Sequence, residues 1–472
     1  MTEAAIGHHE AGPSEAVGEV VEHLQNLIRI PSVNPPGNPD ATGGRDSRGA
    51  ETLAARYCAE VLTQAGIEAK VLEAAPGRGS CFARLRADPA VRDPEPPLIL
   101  LSHLDVVPVE AASWSRDPFG GELVDGVIWG RGAVDMKDMV AMELGVMLAL
   151  HRSQAPLKRD VIFAAVADEE AGGEFGAGQW VNNRPDLFAS GAGAAAAALN
   201  EVGGYSMTIR GQRAYGIQVA EKGIIWTRLH ATGTPGHGSM PHQDNPAVRL
   251  AEAVRRLADA PATGDPPPVV RAFFEALGLG EVAGHMPGNP GAARDALERL
   301  VDDPTLLRSL GAMLRDTITP TVIRVGTKVN VIAGQGTAEV DVRTLPGTDQ
   351  VAFRARLQEL AGPDVRVEAV MSLPAIEAPA DAPIVDLMRE ALGRADPEAL
   401  TVPMMITPGT DAKSLARLGI PTYGFVPLRL DGDMPFLDLF HGNDERVPVS
   451  AIAFGLPVLH EVVHRFATVE AS

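Results

Sequence analysis

Apolar positions along the chain follow two rhythms, which change over near residue 205. Val17, Val20, Val21, Leu24, Leu27 and Ile28 recur at three- and four-residue spacing, predicting a helix over 16–30. Asn34-Pro35-Pro36-Gly37-Asn38-Pro39 breaks the chain, and a second helix is expected across about 49–65. Short, almost continuously apolar runs follow. Leu98-Ile99-Leu100-Leu101 comes after prolines at 94, 96 and 97, Val161 to Val166 is the second run, and Ala194 to Leu199 is a candidate third. Such runs are too short for helices, and helical stretches separate them, so they suit strands buried on both faces of a mainly parallel sheet. The stretch Lys137 to Leu150 is apolar around most of its circumference, as a helix packed on that sheet would be. This predicts an α/β layer domain.

Beyond 205 the pattern alternates. Ile224-Ile225-Trp226-Thr227-Arg228-Leu229-His230 and Thr337-Ala338-Glu339-Val340-Asp341-Val342-Arg343 read as strands of a sheet with one face in water. Helix-like stretches near 246–259, 269–278 and 292–314 lie between them, separated by loops such as Gly264-Asp265-Pro266-Pro267-Pro268. The expected organisation is a first domain over 1–221, a smaller α+β domain inserted over 222–373, and the rest of the first domain over 374–472, closing with a helix near 449–467.

Composition narrows the class. A chain of 472 residues exceeds what one hydrophobic core usually spans, in keeping with two domains. With 41 basic and 61 acidic residues the net charge is −20, which repels phosphate backbones and anionic lipid. No nucleic acid or membrane partner is therefore expected. Cys58 and Cys81 are the only cysteines, too few for a disulfide framework or a thiolate metal site, and the first residues carry acids and no apolar core. A cytoplasmic protein is expected.

The chemistry gathers where the apolar runs end. In an open parallel sheet, ligands bind at the carboxyl ends of the strands. The first run ends in Ser102-His103-Leu104-Asp105, the second in Ala167-Asp168-Glu169-Glu170 and the third in Asn200-Glu201. Asp135 closes Gly130-Arg131-Gly132-Ala133-Val134-Asp135, just before the buried helix. One acid after a strand is ordinarily a solvated loop residue. Several converging anions repel unless a cation offsets them. Imidazole with carboxylate suits zinc, cobalt or manganese. His103 and Asp105 stand two residues apart, so on a strand they share a side, and Asp105 can accept the other ring N–H of His103. The adjacent Glu169 and Glu170 suggest that one binds metal while the other takes a proton from water. Gly130 to Gly132 lacks the third glycine of a dinucleotide fingerprint.

Ile99-Leu100-Leu101-Ser102-His103-Leu104-Asp105-Val106-Val107-Pro108, Gly130-Arg131-Gly132-Ala133-Val134-Asp135-Met136-Lys137-Asp138 and Asp168-Glu169-Glu170, in this order, resemble the signatures of the dizinc metallopeptidase family of aminoacylase, acetylornithine deacetylase, succinyl-diaminopimelate desuccinylase and carboxypeptidase S. Phe440-His441-Gly442-Asn443-Asp444-Glu445-Arg446 resembles that family's last metal-binding segment. The resemblance implies two divalent ions, zinc first, with cobalt or manganese as alternatives. Asp135 would bridge them, His103 and Glu201 would complete one set of ligands, and Glu170 and His441 the other. Glu169 would be the general base, and Asp105 would support His103. Some relatives have Asp where this chain has Asn200; the uncharged Asn is the weaker ligand, so the assignment goes to Glu201.

In the inserted dimerisation, or lid, domain, Gly236-His237-Gly238-Ser239 resembles the segment whose histidine reaches the partner subunit's active site. Asn330 and Arg343 resemble substrate-holding residues, as does the Gly409-Thr410 turn, and a guanidinium can bind a carboxylate through two parallel hydrogen bonds. The resemblance thus implies a homodimer and a small substrate with a free carboxylate. Without it, His237 is a surface residue, Arg343 a cross-strand salt-bridge partner of Asp341 or a neighbour, and His230 structural. The expected activity is hydrolysis of the amide bond of N-acyl amino acids. The alternatives are a carboxypeptidase or dipeptidase, a deacetylase or desuccinylase-like deacylase, and a metal-binding protein without catalysis.

Overall fold

A computed structural model of the chain describes residues 13–34, 50–286, 288–430 and 434–469. The proline break at 35–39 lies outside them, as do the first residues of the chain. The described chain forms two compact units. The first takes in the chain up to Val219, Ala378–Pro403 and everything from Thr410 onward; the second is Ala220–Glu377 with Met404–Gly409. The short excursion Met404–Gly409 thus belongs with the second unit although it lies within the returning segment.

The first unit is built on a sheet whose strands run in the order Ala69–Glu73, Gly79–Leu85, Arg159–Val166, Glu95–His103, Ala197–Asn200, Thr422–Gly424, Gln212–Glu221 and Ser206–Ile209. The centre is parallel: Glu95–His103 pairs in parallel with both Arg159–Val166 and Ala197–Asn200, which in turn pairs in parallel with Thr422–Gly424. Antiparallel strands flank it on both sides. Leu98 to Leu101 and Val161 to Val166 are all buried, as continuously apolar runs require. Burying each large aliphatic side chain contributes roughly 1.5–3 kcal/mol, so these strands cannot slip without exposing the core. The third run is shorter than its apolar stretch, because only Ala197–Asn200 joins the sheet while Gly193–Ala194 folds into a separate two-stranded turn. The helix Lys137–Ser153 lies almost wholly buried, and buried Cys58 and Cys81 are free thiols.

The second unit holds an antiparallel sheet in the order Thr317–Val325, Gln335–Thr344, Gly223–Thr232 and Val365–Leu373. Ile225, Leu229, Ala338, Val340 and Val342 form its core with the helices Pro246–Ala258 and Gln350–Ala361. The alternate residues carry the polar face, where Arg228 meets Glu339 at 3.0 Å and His230 meets Glu368 at 2.8 Å. The helix expected over 292–314 is two helices, Pro290–Leu300 and Pro304–Ala312. Asp303 breaks it: its carboxylate caps the second helix by accepting from Thr305 N and Leu306 N, and Pro304 supplies the first helical φ. Buried Lys222 closes that helix, with Nζ donating to the carbonyls of Ala312 (3.1 Å) and Arg315 (2.7 Å).

Candidate metal centre

Three parallel strands end side by side in the first unit, and their ends carry His103, Asp168 with Glu169 and Glu170, and Asn200 with Glu201. Asp135 comes from the loop before the buried helix, and His441 from the loop before the strand Arg446–Pro448. His103 Nε2 stands 3.2 Å from Asp135 Oδ1 and 3.6 Å from Glu201 Oε2. His441 Nε2 stands 3.2 Å from the other oxygen of Asp135 and 3.1 Å from Glu170 Oε2. Asp135 therefore offers one oxygen to each histidine, and each histidine has a second carboxylate of its own. Ligand atoms of His103, Glu169 and Glu201 lie within 4.8 Å of one another, and so do those of His103, Asp135 and Glu170. These two triads overlap because the donors share one small volume; the pairwise distances divide them more sharply, with Asp135 between the histidines.

Two features of the structure fit this ring to cations. Glu170 Oε1 is buried without a hydrogen-bond partner, and the paired glutamates Glu169 and Glu170 are pushed away from their charged forms. Burial, reinforced by Glu201, holds the Glu169 carboxyl well above the usual range, and burial with Asp135 brings Glu170 up to about 7. Burial works against charge on His103, but Glu201, Asp105 and Asp135 overcome it and raise its pKa. Hydrogen bonds to Asp135 and Glu170 raise His441 to about 10. These are the responses of crowded carboxylates and imidazoles, a donor set whose mutual repulsion a cation would offset. Backbone strain points the same way. Asp168 (φ 69°) and His441 (φ 59°) both hold left-handed conformations, which cost a non-glycine residue on the order of 1 kcal/mol and persist only where surrounding contacts fix them.

Asp105 stays beside His103 but divides its contacts. His103 Nδ1 lies 2.9 Å from the main-chain carbonyl of Asp105 and 3.5 Å from its carboxylate. The strand ends at His103, so the two-residue alternation no longer governs Asp105. Its carboxylate also reaches the next loop and accepts from Glu169 N (3.1 Å), Glu170 N (3.1 Å) and Asn34 Nδ2 (2.7 Å). Asp105 thus fixes the imidazole through its backbone and the two glutamates through its side chain. Behind it, Arg78 pairs with Glu51 (2.7 Å) and Asp168 (3.3 Å) and donates to Asn34. Sequence pattern gave Asn34, Glu51 and Arg78 no role.

Asn200 and Glu201 take different partners. Asn200 Nδ2 donates to Thr410 Oγ1 at 2.9 Å, away from the histidine that Glu201 approaches. Gly424 lets the neighbouring strand come close, since a Cβ there would stand 2.3 Å from the Glu201 carbonyl. Thr410 is buried, and its hydroxyl also accepts from Ala412 N, so that side chain is committed to the fold. Asp411 beside it is buried with Oδ2 unpartnered, and burial raises its carboxyl well above the usual range.

The other residues expected to hold substrate belong to the second unit. His237 and Asn330 come together there: Gly236–His237 pairs with Val331–Ile332, and Gly238 N donates to Asn330 O at 2.8 Å. His237 is exposed, its Nδ1 2.8 Å from Ser239 Oγ. Arg343 is already engaged, donating through Nε (2.7 Å) and a terminal nitrogen (2.9 Å) to the two oxygens of Asp341. Gly409 also falls in this unit.

A ring of histidines and carboxylates, buried at His103, Asp135 and Glu201 and open at His441, with a spare glutamate, defines a metal-dependent hydrolase. The family model for peptidase family M20/M25/M40 matches residues 99–465, and the chain belongs to that family. Among similar proteins, aminoacylase-1 of Sus scrofa is 27% identical over 89% of this chain and 91% of its own. The N-fatty-acyl-amino acid synthase/hydrolase PM20D1 of Homo sapiens is 26% identical over 81% of this chain and 76% of its own. A probable carboxypeptidase S-like 2 of Dictyostelium discoideum is 27% identical over 75% and 68%. The M20 family metallo-carboxypeptidase Sso-CP2 of Sulfolobus solfataricus shares the fold, with a TM-score of 0.68 at 16% identity over 94% of this chain and 98% of that one. Among the described residues, no helix is long and apolar enough to cross a membrane.

Proposed function

We propose that the protein hydrolyses the amide bond of N-acyl amino acids. The observation that carries the reaction is the placement of His103 and His441 on opposite oxygens of Asp135, with Glu169 beside His103 and Glu201. His103, Asp135 and Glu201 would hold one divalent ion, and Asp135, Glu170 and His441 the other. Zinc suits this donor set best, with cobalt or manganese as substitutes. When bound, such ions polarise a carbonyl and lower the pKa of water towards neutrality. Glu169 takes the proton of the attacking water and returns it to the departing nitrogen, and the backbone bonds from Asp105 keep its loop in place for both transfers. Arg343, released from or shared with Asp341, binds the free carboxylate of the substrate, and Asn330 and the Gly409-Thr410 turn are further candidates for holding substrate. The choice of N-acyl amino acids rests on the length over which aminoacylase-1 and the fatty-acyl hydrolase match.

A panel of acetyl and lauroyl amino acids against unblocked dipeptides, with the zinc- and cobalt-loaded enzyme, tests the substrate class. Faster turnover of the blocked amino acids supports the reading. A requirement for a free amino terminus replaces it with a dipeptidase or carboxypeptidase. We also propose a cytoplasmic homodimer formed through the second unit, in which His237 of one copy stabilises the oxyanion in the other. Mixing inactive His237→Ala with inactive Glu169→Gln should then restore activity in heterodimers, and no recovery would dismiss the shared site.

A further inference from the structure

Asp135 and His441, which stand 3.2 Å apart, come from loops more than 300 residues apart in sequence, and the charges behind them belong to neither ligand set. Glu445 is wholly buried, and Arg131 is 2% exposed. Glu445 Oε1 accepts from Val134 N at 2.8 Å and from Asp135 N at 3.1 Å, so one carboxylate oxygen holds the backbone that presents the bridging aspartate. Its other oxygen takes Arg131 at 2.7 Å. The guanidinium of Arg131 lies over the Trp114 ring, 5.2 Å from the centroid, and its far nitrogen points to the carbonyls of His441 (3.4 Å) and Pro108 (3.5 Å). Pairing of Val127–Trp129 with Arg446–Pro448, and Gly130 N donating to Glu445 O at 2.9 Å, bring the two loops together at their bases.

We infer that Glu445, with Arg131, is a positioning device for the metal centre: it sets the backbone of Asp135 and of His441 at once and so fixes the distance between the two ligand sets. This rests on the two-ion reading above. The strand pairing alone would bring the loops near each other. Among the described residues, the Glu445–Arg131 pair reaches the backbone of both ligands. Two of the three ligands on the His441 side depend on the pair, against one of three on the His103 side. Loss of the pair therefore weakens one ion far more than the other. A buried ion pair that serves stability alone would have no such asymmetry.

The test is cobalt titration of the chelated full-length chain, followed by its visible spectrum and by metal analysis. Wild type should take up two ions, and Glu445→Gln should bind the weaker ion about 10–100-fold less tightly while keeping the other near its wild-type affinity. As a control, Asp396→Asn breaks another buried ion pair, where Arg213 and Tyr215 hold Asp396 at 2.6 and 2.9 Å. It should lower Tm and leave both cobalt affinities unchanged. Fewer than two ions on the wild type would remove the two-ion reading itself. Two ions with unchanged affinities and spectrum in Glu445→Gln would overturn the positioning role alone, as would equal weakening in Asp396→Asn. Should Glu445→Gln fail to fold, Arg131→Lys decides. It keeps the charge but loses the reach to His441, and is expected to weaken the second ion about tenfold; an unchanged titration overturns the inference.

Discussion

His103 and His230 both sit against carboxylates, in surroundings that differ in kind. His230 lies on the polar face of the second unit's sheet, 2.8 Å from Glu368, which Arg366 also holds at 2.9 Å. The arginine and the histidine keep Glu368 below the usual carboxylate range. The neighbours repeat this balance, Arg228 with Glu339 and Arg343 with Asp341. His103 is buried among Asp135, Glu169 and Glu201, and the nearby guanidiniums are turned outward: Arg78 to Glu51 and Asp168, Arg131 to Glu445. Here burial and neighbouring carboxylates push Glu169 and Glu170 up instead of down. Histidine beside glutamate is thus no sign of a metal site. Anions brought together under cover, with the arginines placed one layer behind, are.

The comparison can be broken at either end. The largest effect belongs to the buried ring. Glu169→Gln keeps the ligands and removes the base, so kcat should fall about 10²- to 10⁴-fold with metal content unchanged, as steady-state kinetics and elemental analysis will read. Retained activity would move the base elsewhere. An intermediate effect is expected at Arg343 on the proposed substrate reading. If it leaves Asp341 for the substrate, Arg343→Met should raise KM roughly 10- to 100-fold, and Arg343→Lys should restore only part of the loss because the paired hydrogen bonds go. An unchanged KM leaves Arg343 as a partner of Asp341 and nothing more. The smallest effect is expected at Glu368→Gln, which removes one member of an exposed network and should leave Tm and turnover where they were.

Much of this was legible before any coordinates, for identifiable reasons. Strands buried on both faces have to be apolar throughout, so Leu98 to Leu101 and Val161 to Val166 declared themselves, and the polar residues at their ends marked the crevice. Sheet alternation in 224–230 and 337–343 declared the second unit's one-sided core. Apolar spacing misled over 292–314, where Asp303 and Pro304 restart the helix in spite of it. Arg131 and Glu445 stood inside the quoted motifs without a role, because an ion pair across more than 300 residues leaves no local period.

Sequence alone determined the kinds of donor atoms, the strands that carry them and the family to which they belong, since each follows from residue type and short-range spacing. Tertiary structure decided how they are shared out. It placed one oxygen of Asp135 towards each histidine, shared Asp105 between the imidazole and the glutamate loop, and assigned Asn200 to Thr410 and Glu201 to His103. A carboxylate has two oxygens and several reachable partners, and only the packing of the strand ends and loops around it fixes which oxygen goes where.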